Sequence, residues 1–222
     1  RQAGNEPFPN LYATGTAEAA PPQGKTIYLT FDAGPSENTA AILDVLRDQD
    51  VRATFFVTGQ NAGEPYADGL LHRIVDEGHT LGLHSYSHSF QEIYRSPESY
   101  LKDIDKLNNY LYETVGVRPS ILRFPGGSAT VNASPDTMKA IIREVTRRGY
   151  RYYDWHVVSG DDTPTVYDTG YLSDRMVAGV QGLDSAVILL HDSPAPVTTA
   201  QAVNLTIDRL REQGYSFAPL TA

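Results

Sequence analysis

The sequence predicts an α/β protein built on a parallel sheet, either a closed or nearly closed (β/α) barrel or a doubly wound open sheet. Segments typical of strands alternate with amphipathic segments typical of helices along nearly the whole chain, as expected when helical crossovers join parallel strands. Six or seven such units fit into about 200 residues, a length that suits a barrel. Charged and histidine residues also recur where the predicted strands end.

The composition is that of a water-soluble globular protein with one domain. The chain has 222 residues, of which 41% are hydrophobic and 20% are charged. A net charge of -9 argues against nucleic acid as the main partner. The sequence contains no apolar run near the length of a membrane span, and the absence of cysteine excludes disulfides and thiol nucleophiles.

The first part of the chain differs in composition from the rest. Residues 1–23 are rich in Ala, Pro, Gly and Thr and predict a linker or an N-terminal arm on the surface. We therefore expect the folded domain to occupy residues 24–222.

The predicted strands are β-branched, aromatic or wholly apolar segments. The first covers residues 26–31 and leads directly to Asp32. The other predicted strands cover residues 53–57, 80–83, 120–123, 151–155, 186–190 and 215–218.

Serines beside prolines predict where several helices begin. Ser96 and Ser134 each precede a proline, the favoured first helical residue, and Ser36 follows one. Apolar residues at helical spacing follow all three serines. Further helices are predicted over residues 69–77, 171–180 and 199–212.

Six polar residues fall at or just after the predicted strand ends. In a parallel barrel these ends share one face, which carries the active site. We therefore expect the following residues to converge in space: Asp32, His84, His88, Arg123, Asp161 and His191.

The histidine pair predicts a metal site. His84 and His88 are four residues apart, a spacing that would place both imidazoles on one face of a helical turn. Two imidazoles could hold one divalent transition metal and leave positions open for water and substrate.

The remaining residues predict hydrolysis of an acyl group by water. No cysteine exists and no serine is framed as a nucleophile elbow. Asp32 could take a proton from water, with Arg123 holding the carboxylate in place. His191 could protonate the leaving group while Asp161 sets its tautomer. Backbone N–H groups around Gly126 could receive the developing oxyanion.

Five short motifs, in order, resemble those of the polysaccharide deacetylase family, also called the NodB-homology domain or carbohydrate esterase family four. The family's T-F-D-D-G-P corresponds to T-F-D-A-G-P at residues 30–35, and its H-[ST]-x-x-H to H-S-Y-S-H at 84–88. Its R-x-P-[YF]-G resembles R-F-P-G-G at 123–127. A looser fourth motif aligns with 155–162, and L-x-H with 189–191. The resemblance covers nearly all of the folded part.

The resemblance implies a deformed (β/α) barrel of about seven parallel strands. It makes Asp32 the catalytic base, tethered by Arg123, and His191 the acid, tuned by Asp161. It makes His84 and His88 ligands of a divalent metal, usually zinc. Three further positions are assigned to substrate and oxyanion binding: Gly126, Leu189 and Trp155, the last being either core or a platform for sugar.

The chain departs from the family pattern at the metal. The third protein ligand is usually the second aspartate of the first motif, and Ala33 stands there. Three explanations remain open: a natural active variant that uses two histidines and water, an engineered Asp→Ala variant, and a natural glycan binder without activity. In the fourth motif, Asp162 stands where a second tryptophan is common.

The resemblance implies a metal-dependent hydrolase that removes acetyl groups from an N-acetylated polysaccharide, with bacterial peptidoglycan or a related wall glycan as the expected substrate. The alternative is a catalytically impaired, deacetylase-like glycan-binding domain. We expect a bacterial extracellular or cell-surface location, any signal or anchor lying outside this chain, and a monomer. We expect neither a nucleic-acid partner nor a membrane span.

Overall fold

A curved sheet of parallel strands forms the centre of the protein. The computed structural model describes residues 6–14, 22–193 and 198–222. Its strands are β1 Thr26–Asp32, β2 Thr54–Thr58, β3 Thr80–Ser85, β4 Ile121–Leu122, β5 Arg151–Tyr152, β6 Val157–Val158, β7 Ser185–His191 and β8 Ser216–Phe217. Its helices are α1 Thr39–Asp48, α2 Ala67–Asp76, α3 Phe90–Ile93, α4 Pro97–Val115, α5 Pro135–Arg147, α6 Thr169–Val180 and α7 Thr199–Glu212.

The strand order identifies a deformed barrel. The order across the sheet is β5-β4-β3-β2-β1-β7-β6, and β8 adds to the start of β1. The first long strand, β1, pairs in parallel with the last long strand, β7. Strands from the beginning and the end of the chain are therefore neighbours, as in a barrel. The predicted barrel is confirmed, and the alternative of a doubly wound open sheet is wrong.

One extended segment bridges the two edges of the sheet. Residues 153–156 join β5 to β6. The Tyr153 N–H donates to the Leu122 carbonyl at 3.0 Å, whereas the His156 N–H donates to the Val187 carbonyl at 2.9 Å. The segment thus passes from the neighbourhood of β4 to that of β7 and draws the edges together.

The two faces of β1 serve different purposes. Ile27, Leu29 and Phe31 belong to the main core between the sheet and the helices. The alternate residues Thr30 and Asp32 lie on the opposite face, toward the barrel interior, because successive side chains of a strand point to opposite sides. A smaller apolar cluster fills this interior, and it consists of Phe56, Ile121, Val187 and Leu220.

Two of the three predicted helix caps are confirmed. The Ser96 and Ser134 hydroxyls accept hydrogen bonds from the N–H groups of Ser99 and Thr137, each at 3.1 Å. The prediction for Ser36 is wrong, since α1 begins at Thr39. The Ser36 hydroxyl is buried and instead donates to the carbonyl of Asp192, which draws this turn toward β7.

Part of the N-terminal arm belongs to the domain. Leu11 is fully buried within the main core. The buried Arg148 guanidinium donates to the carbonyls of Pro7, Phe8 and Leu11 at 2.9 to 3.0 Å. Residues before the predicted boundary at position 24 therefore contribute to the core. The remainder of the predicted arm, 1–5 and 15–21, lies outside the described residues.

The helices of the described residues were compared with the length and apolar character that a membrane span requires. Across residues 6–14, 22–193 and 198–222, none combines the length and the apolar character needed to cross a bilayer.

Candidate active site

Asp32 lies at the carboxyl end of β1 and is held by a buried arginine. Arg123 follows β4 directly, and its Nη1 donates to Oδ1 of Asp32 at 2.9 Å. The arginine side chain is fully buried and the aspartate side chain is only 5% exposed. A buried charge is tolerated when it is paired and hydrogen-bonded. The pairing leaves Oδ2 of Asp32 as the oxygen that faces the histidines.

The Arg123 guanidinium is fixed by several acceptors at once. Nη1 also donates to the Thr30 hydroxyl at 2.7 Å, while Nε and Nη2 donate to the carbonyls of Tyr153 and Asp154 at 3.0 and 3.1 Å. The planar group lies 4.4 Å from the ring centre of Phe56. A lysine could not reproduce this fork of donors.

The two predicted metal ligands come together without a helix. His84 lies within β3, and His88 lies in the following turn with φ of 54°. Their ring centres are 5.1 Å apart. The expectation of a shared helical turn is therefore wrong, because β3 continues through Ser85 and the chain then reverses. The turn still places both imidazoles side by side.

His84 has the tautomer and protonation state of a metal ligand. Its Nδ1 lies 2.8 Å from the Arg123 carbonyl, which only accepts, so the proton is on Nδ1. Burial lowers the pKa of His84 to about 4 and also lowers the pKa of His88, so both rings are neutral at pH 7. A backbone carbonyl bound to the second ring nitrogen is the usual way in which proteins orient metal-binding histidines.

A cation would resolve an unfavourable contact in the site. The unprotonated Nε2 of His84 lies 3.8 Å from Oδ2 of Asp32. Both atoms are buried hydrogen-bond acceptors, so the contact between them is not favourable. A divalent metal would make it favourable, because an imidazole nitrogen can coordinate the ion and a carboxylate oxygen nearby offsets its charge. The residues present therefore fit such an ion, which the ring nitrogens of His84 and His88 could hold.

Ala33 occupies the position where the motif usually has a further carboxylate. It follows Asp32 directly and is partly exposed. Its backbone has φ of 75°, a left-handed conformation that aspartate and asparagine adopt more readily than alanine. The backbone thus has a shape suited to the missing aspartate, while the methyl group supplies no ligand.

Asp103 of α4 organises the histidine turn, and sequence reasoning missed it. Its Oδ2 accepts from the Ser85 hydroxyl at 2.6 Å and from the Tyr86 N–H at 2.9 Å. Its Oδ1 accepts from the N–H and hydroxyl of Ser87 at 3.0 and 2.8 Å. The Ser85 hydroxyl in turn accepts from the His88 N–H at 2.9 Å. This carboxylate therefore fixes the loop that carries His88.

His191 and Asp161 form the second ionisable pair of the site. Nδ1 of His191 lies 2.9 Å from Oδ1 of Asp161. Oδ2 of Asp161 accepts from the His191 N–H and from the Thr199 hydroxyl at 2.9 and 2.7 Å. Burial by itself would lower the pKa of His191, but the Asp161 hydrogen bond and the charges of Asp161, Asp32 and Asp162 outweigh it and raise that pKa to about 9. The ring therefore carries a proton at neutral pH and can act as an acid.

The pairing of β1 with β7 places the two halves of the site opposite each other. Asp32 and His191 are partners in the register of these strands. Leu189 is two residues before His191 and lies on the same face of β7, since alternate residues share a face. It is 7% exposed and lies below the acid, toward the barrel interior.

Asp161, Asp162 and His191 form a second group of metal-type donors, with donor atoms all within 4.8 Å of one another. Asp161 and His191 already bind each other, and the raised pKa of His191 means that a metal would have to displace its proton. These residues therefore suit an acid and its orienting carboxylate better than a metal site.

Glycines and an indole form the rim beside Arg123. Gly126 is exposed with φ of 79°, and a Cβ there would lie 2.7 Å from Oγ1 of Thr130. A side chain at this position would therefore require Thr130 to shift. Trp155 is partly buried, and its ring centre lies 5.4 Å from the Arg123 guanidinium. A Cβ at Gly127 would meet the indole at 2.9 Å, so the turn and the indole are closely packed.

Asp192 supports the loop from underneath. Its side chain is buried, and burial raises its pKa to about 7. The Thr39 hydroxyl donates to Oδ2 at 2.8 Å, and a Cβ on Gly34 would collide with the carboxylate. Asp192 thus ties the loop after β1 to the end of β7.

Comparison with known proteins agrees with these observations. A family model described as polysaccharide deacetylase matches residues 19–152. The putative polysaccharide deacetylase YheN of Bacillus subtilis strain 168 is 36% identical over 201 residues, which cover 88% of this chain and 67% of the relative. The peptidoglycan-N-acetylmuramic acid deacetylase PdaA of the same strain is 32% identical over 196 residues, which cover 87% and 69%.

A solved structure shares the whole architecture. The catalytic domain of peptidoglycan N-acetylglucosamine deacetylase from Eubacterium rectale ATCC 33656 superposes with a TM-score of 0.84 at 37% identity. The match covers 93% of each chain. The similarity therefore extends over the barrel and the face that carries the site.

Proposed function

The chain belongs to the polysaccharide deacetylase family, and from this premise we propose that it hydrolyses acetyl groups from an N-acetylated cell-wall glycan, peptidoglycan or a related polymer. One observation carries the proposal. Three pairs, Asp32 with Arg123, His84 with His88, and Asp161 with His191, meet at one end of the barrel. Relatives named as deacetylases of peptidoglycan sugars support the choice of substrate.

The histidine pair is the proposed site of a divalent cation, for which we propose zinc. Neutral imidazoles with an available ring nitrogen suit zinc. When bound there, the ion would lower the pKa of a coordinated water and polarise the acyl oxygen. The protein supplies two histidines and no carboxylate at position 33, so its affinity should be lower than that of a site with three protein ligands.

The residues around this position divide the proton transfers between them. Asp32 takes a proton from the attacking water through Oδ2, because Arg123 occupies Oδ1. His191 gives its Nε2 proton to the leaving nitrogen, because Asp161 occupies Nδ1. The Gly126 backbone N–H stabilises the oxyanion, since the absence of a side chain leaves the exposed turn open to substrate. Leu189 borders the acetyl methyl group, and Trp155 borders the sugar.

The same premise supports a location and an assembly state. Peptidoglycan lies outside the cytoplasmic membrane, so we propose an extracellular or cell-surface location. All residues of the site come from one chain, so the reaction needs no second copy, and we propose a monomer.

Acetate release tests the proposal. The chain is incubated with Zn²⁺ and with N-acetylglucosamine oligomers or peptidoglycan, and its Ala33→Asp variant serves as a companion. We expect the chain to release acetate and a chelator to stop the release. Release by the Ala33→Asp variant alone would show a disabled deacetylase that retains the glycan site. The absence of acetate with both proteins and all glycans would contradict the proposed reaction.

A further inference from the structure

Asp162 brings a second carboxylate to the acid of the site. Its Oδ2 lies 3.6 Å from Nε2 of His191, and Asp161 binds the other ring nitrogen at 2.9 Å. The Asp162 side chain is 51% exposed, whereas that of His191 is 15% exposed. Asp162 therefore reaches His191 from the open side of the site, on the nitrogen that must deliver a proton.

The two neighbouring aspartates have different contacts. Asp161 is buried and accepts hydrogen bonds from His191 and Thr199, so its place in the fold is accounted for. The Asp162 carboxylate faces Nε2 at a distance longer than a normal hydrogen bond, so it does not lock the ring. Its charge lies where the leaving group of a substrate would meet His191.

Amide and ester substrates differ at this point. In both reactions a bond forms between a water oxygen and the acyl carbon, and the bond from that carbon to the leaving atom breaks. With an amide, the leaving nitrogen takes the His191 proton while it is still bonded to the acyl carbon. It is therefore cationic until that bond breaks, and it departs as an amine, which binds a proton from solvent near neutral pH. With an ester, the leaving oxygen takes the proton and departs as a neutral hydroxyl group.

We propose that Asp162 is a specificity-determining residue that favours N-acetyl over O-acetyl substrates by receiving the leaving amine as it becomes cationic. The inference rests on the proposed function and assigns its preference for amides to one residue. A carboxylate stabilises an ammonium group through a charge-assisted hydrogen bond but gives a neutral hydroxyl much less. Partial exposure to water weakens the effect without removing it.

The test compares two substrates on the same protein. The kcat/KM for acetate release is measured with the N-acetylglucosamine tetramer and with acetylated xylo-oligosaccharides, for the unmodified chain, Asp162→Asn and Asp162→Glu. Asp174→Asn is the control, because Asp174 is an exposed aspartate of α6 that pairs with Arg209. We expect Asp162→Asn to lower the amide value about tenfold more than the ester value. Asp162→Glu should retain most of the preference, and the control should change neither value.

An equal loss on both substrates would overturn the inference, because Asp162 would then act only through His191, which both reactions need. An unchanged amide value would also overturn it. Should the unmodified chain release acetate from neither substrate, the proposed function itself fails.

A binding measurement on the metal-free chain, which should hydrolyse neither tetramer, tests the same interaction without turnover. Asp162→Asn should weaken binding of the glucosamine tetramer, which is cationic, about tenfold, and should leave the affinity for the N-acetylglucosamine tetramer unchanged. Equal affinities of the variant and the unmodified chain for the cationic tetramer would contradict the role of Asp162.

Discussion

Nη1 of Arg123 lies 2.9 Å from Oδ1 of Asp32, in an ion pair from which water is almost excluded. The backbone carbonyl of the same arginine accepts a hydrogen bond from Nδ1 of His84 at 2.8 Å. One residue therefore sets the position of the proposed base through its side chain and the tautomer of a proposed metal ligand through its backbone. The base and the ion site are structurally coupled at this residue.

Replacement of Arg123 by lysine should lower acetate release by about 100-fold, since a misplaced base loses most of its effect. A lysine cannot reach Asp32 and the carbonyls of Tyr153 and Asp154 together.

Arg123→Ala should also destabilise the fold by about 3–5 kcal/mol, because it leaves a buried carboxylate unpaired. Steady-state kinetics and chemical denaturation measure the two effects. Arg118→Lys, on an arginine that lies over Tyr112, is the control, and equal activity of both lysine variants would refute this role.

Asp161→Asn should move the alkaline limb of the pH–rate profile downward. The pKa of His191 is raised to about 9, so the acid form is present below that pH and activity declines as pH rises through it. Without the Asp161 charge the limb should move toward about 6.5, the ordinary pKa of histidine. An NMR titration of His191 measures the same shift directly. An unchanged alkaline limb would exclude His191 as the acid.

The raised pKa of His191 also implies that the free energy of unfolding depends on pH. The protonated ring binds its partners more tightly in the folded state, so this contribution is complete below about pH 6.5 and is lost as pH rises through about 9. Asp161→Asn should remove that dependence from the free energy of unfolding measured by denaturation between these pH values. A variant with the same pH dependence as the unmodified chain would show that the pair is not ionised as described.

Ala33→Asp should strengthen metal binding without loss of stability. The left-handed backbone at this position suits aspartate, and the carboxylate would add a third ligand. We expect the Kd for Zn²⁺, measured by competition with a coloured chelator, to fall at least tenfold. Ala33→Asn is the matched control, because asparagine suits the same backbone but carries no charge. Equal Zn²⁺ affinity of the Asp and Asn variants would show that position 33 does not face the ion.

Asp103→Asn should weaken metal binding although Asp103 is not a proposed ligand. The amide retains one acceptor oxygen where the carboxylate accepts with two, so the turn before His88 loses part of its support. A loss of about 10–100-fold in Zn²⁺ affinity is typical for residues that orient ligands. Asp105→Asn on the same helix is the control, since Asp105 bonds only a neighbouring amide among the described residues. The same affinity in both variants would remove Asp103 from the site.

Leu11→Ala should destabilise the protein by about 2–5 kcal/mol, the usual cost of a cavity at a buried leucine. Leu11 is fully buried, whereas Val131 is 97% exposed, so Val131→Ala should have almost no effect. Chemical denaturation compares the two variants. Equal stabilities would mean that the N-terminal segment contributes nothing to the core.

Local sequence chemistry was sufficient to predict much of the fold. Ser96 and Ser134 cap helices as expected, because a serine before a proline is a strong signal within a few residues. The predicted cap at Ser36 was wrong because its hydroxyl donates to the carbonyl of Asp192, which is distant in sequence. The two-residue strand β6 was not predicted as a separate strand, since so short a segment shows no alternation of polar and apolar residues.

The residues of the candidate site were predicted from the ends of strands, but the residues that hold them in place were not. His84 and His88 are close as expected, but through a strand and a turn and not through a helix. Asp103 lies on a helix after the histidine turn, and nothing near it in sequence indicates that its carboxylate bonds residues 85–87. Leu11 lies in a short segment interrupted by prolines and without helical or strand periodicity, so only the tertiary structure shows its burial.

Zinc reconstitution of the metal-free chain, with acetate release from the N-acetylglucosamine tetramer as the readout, directly tests whether the histidine pair holds the catalytic ion. We expect no release without metal and recovery as Zn²⁺ fills one site. We also expect no recovery in the His84→Ala, His88→Ala double variant. Acetate release by the metal-free chain, or by the double variant at the rate of the unmodified chain, would contradict the claim that this histidine pair holds the catalytic ion.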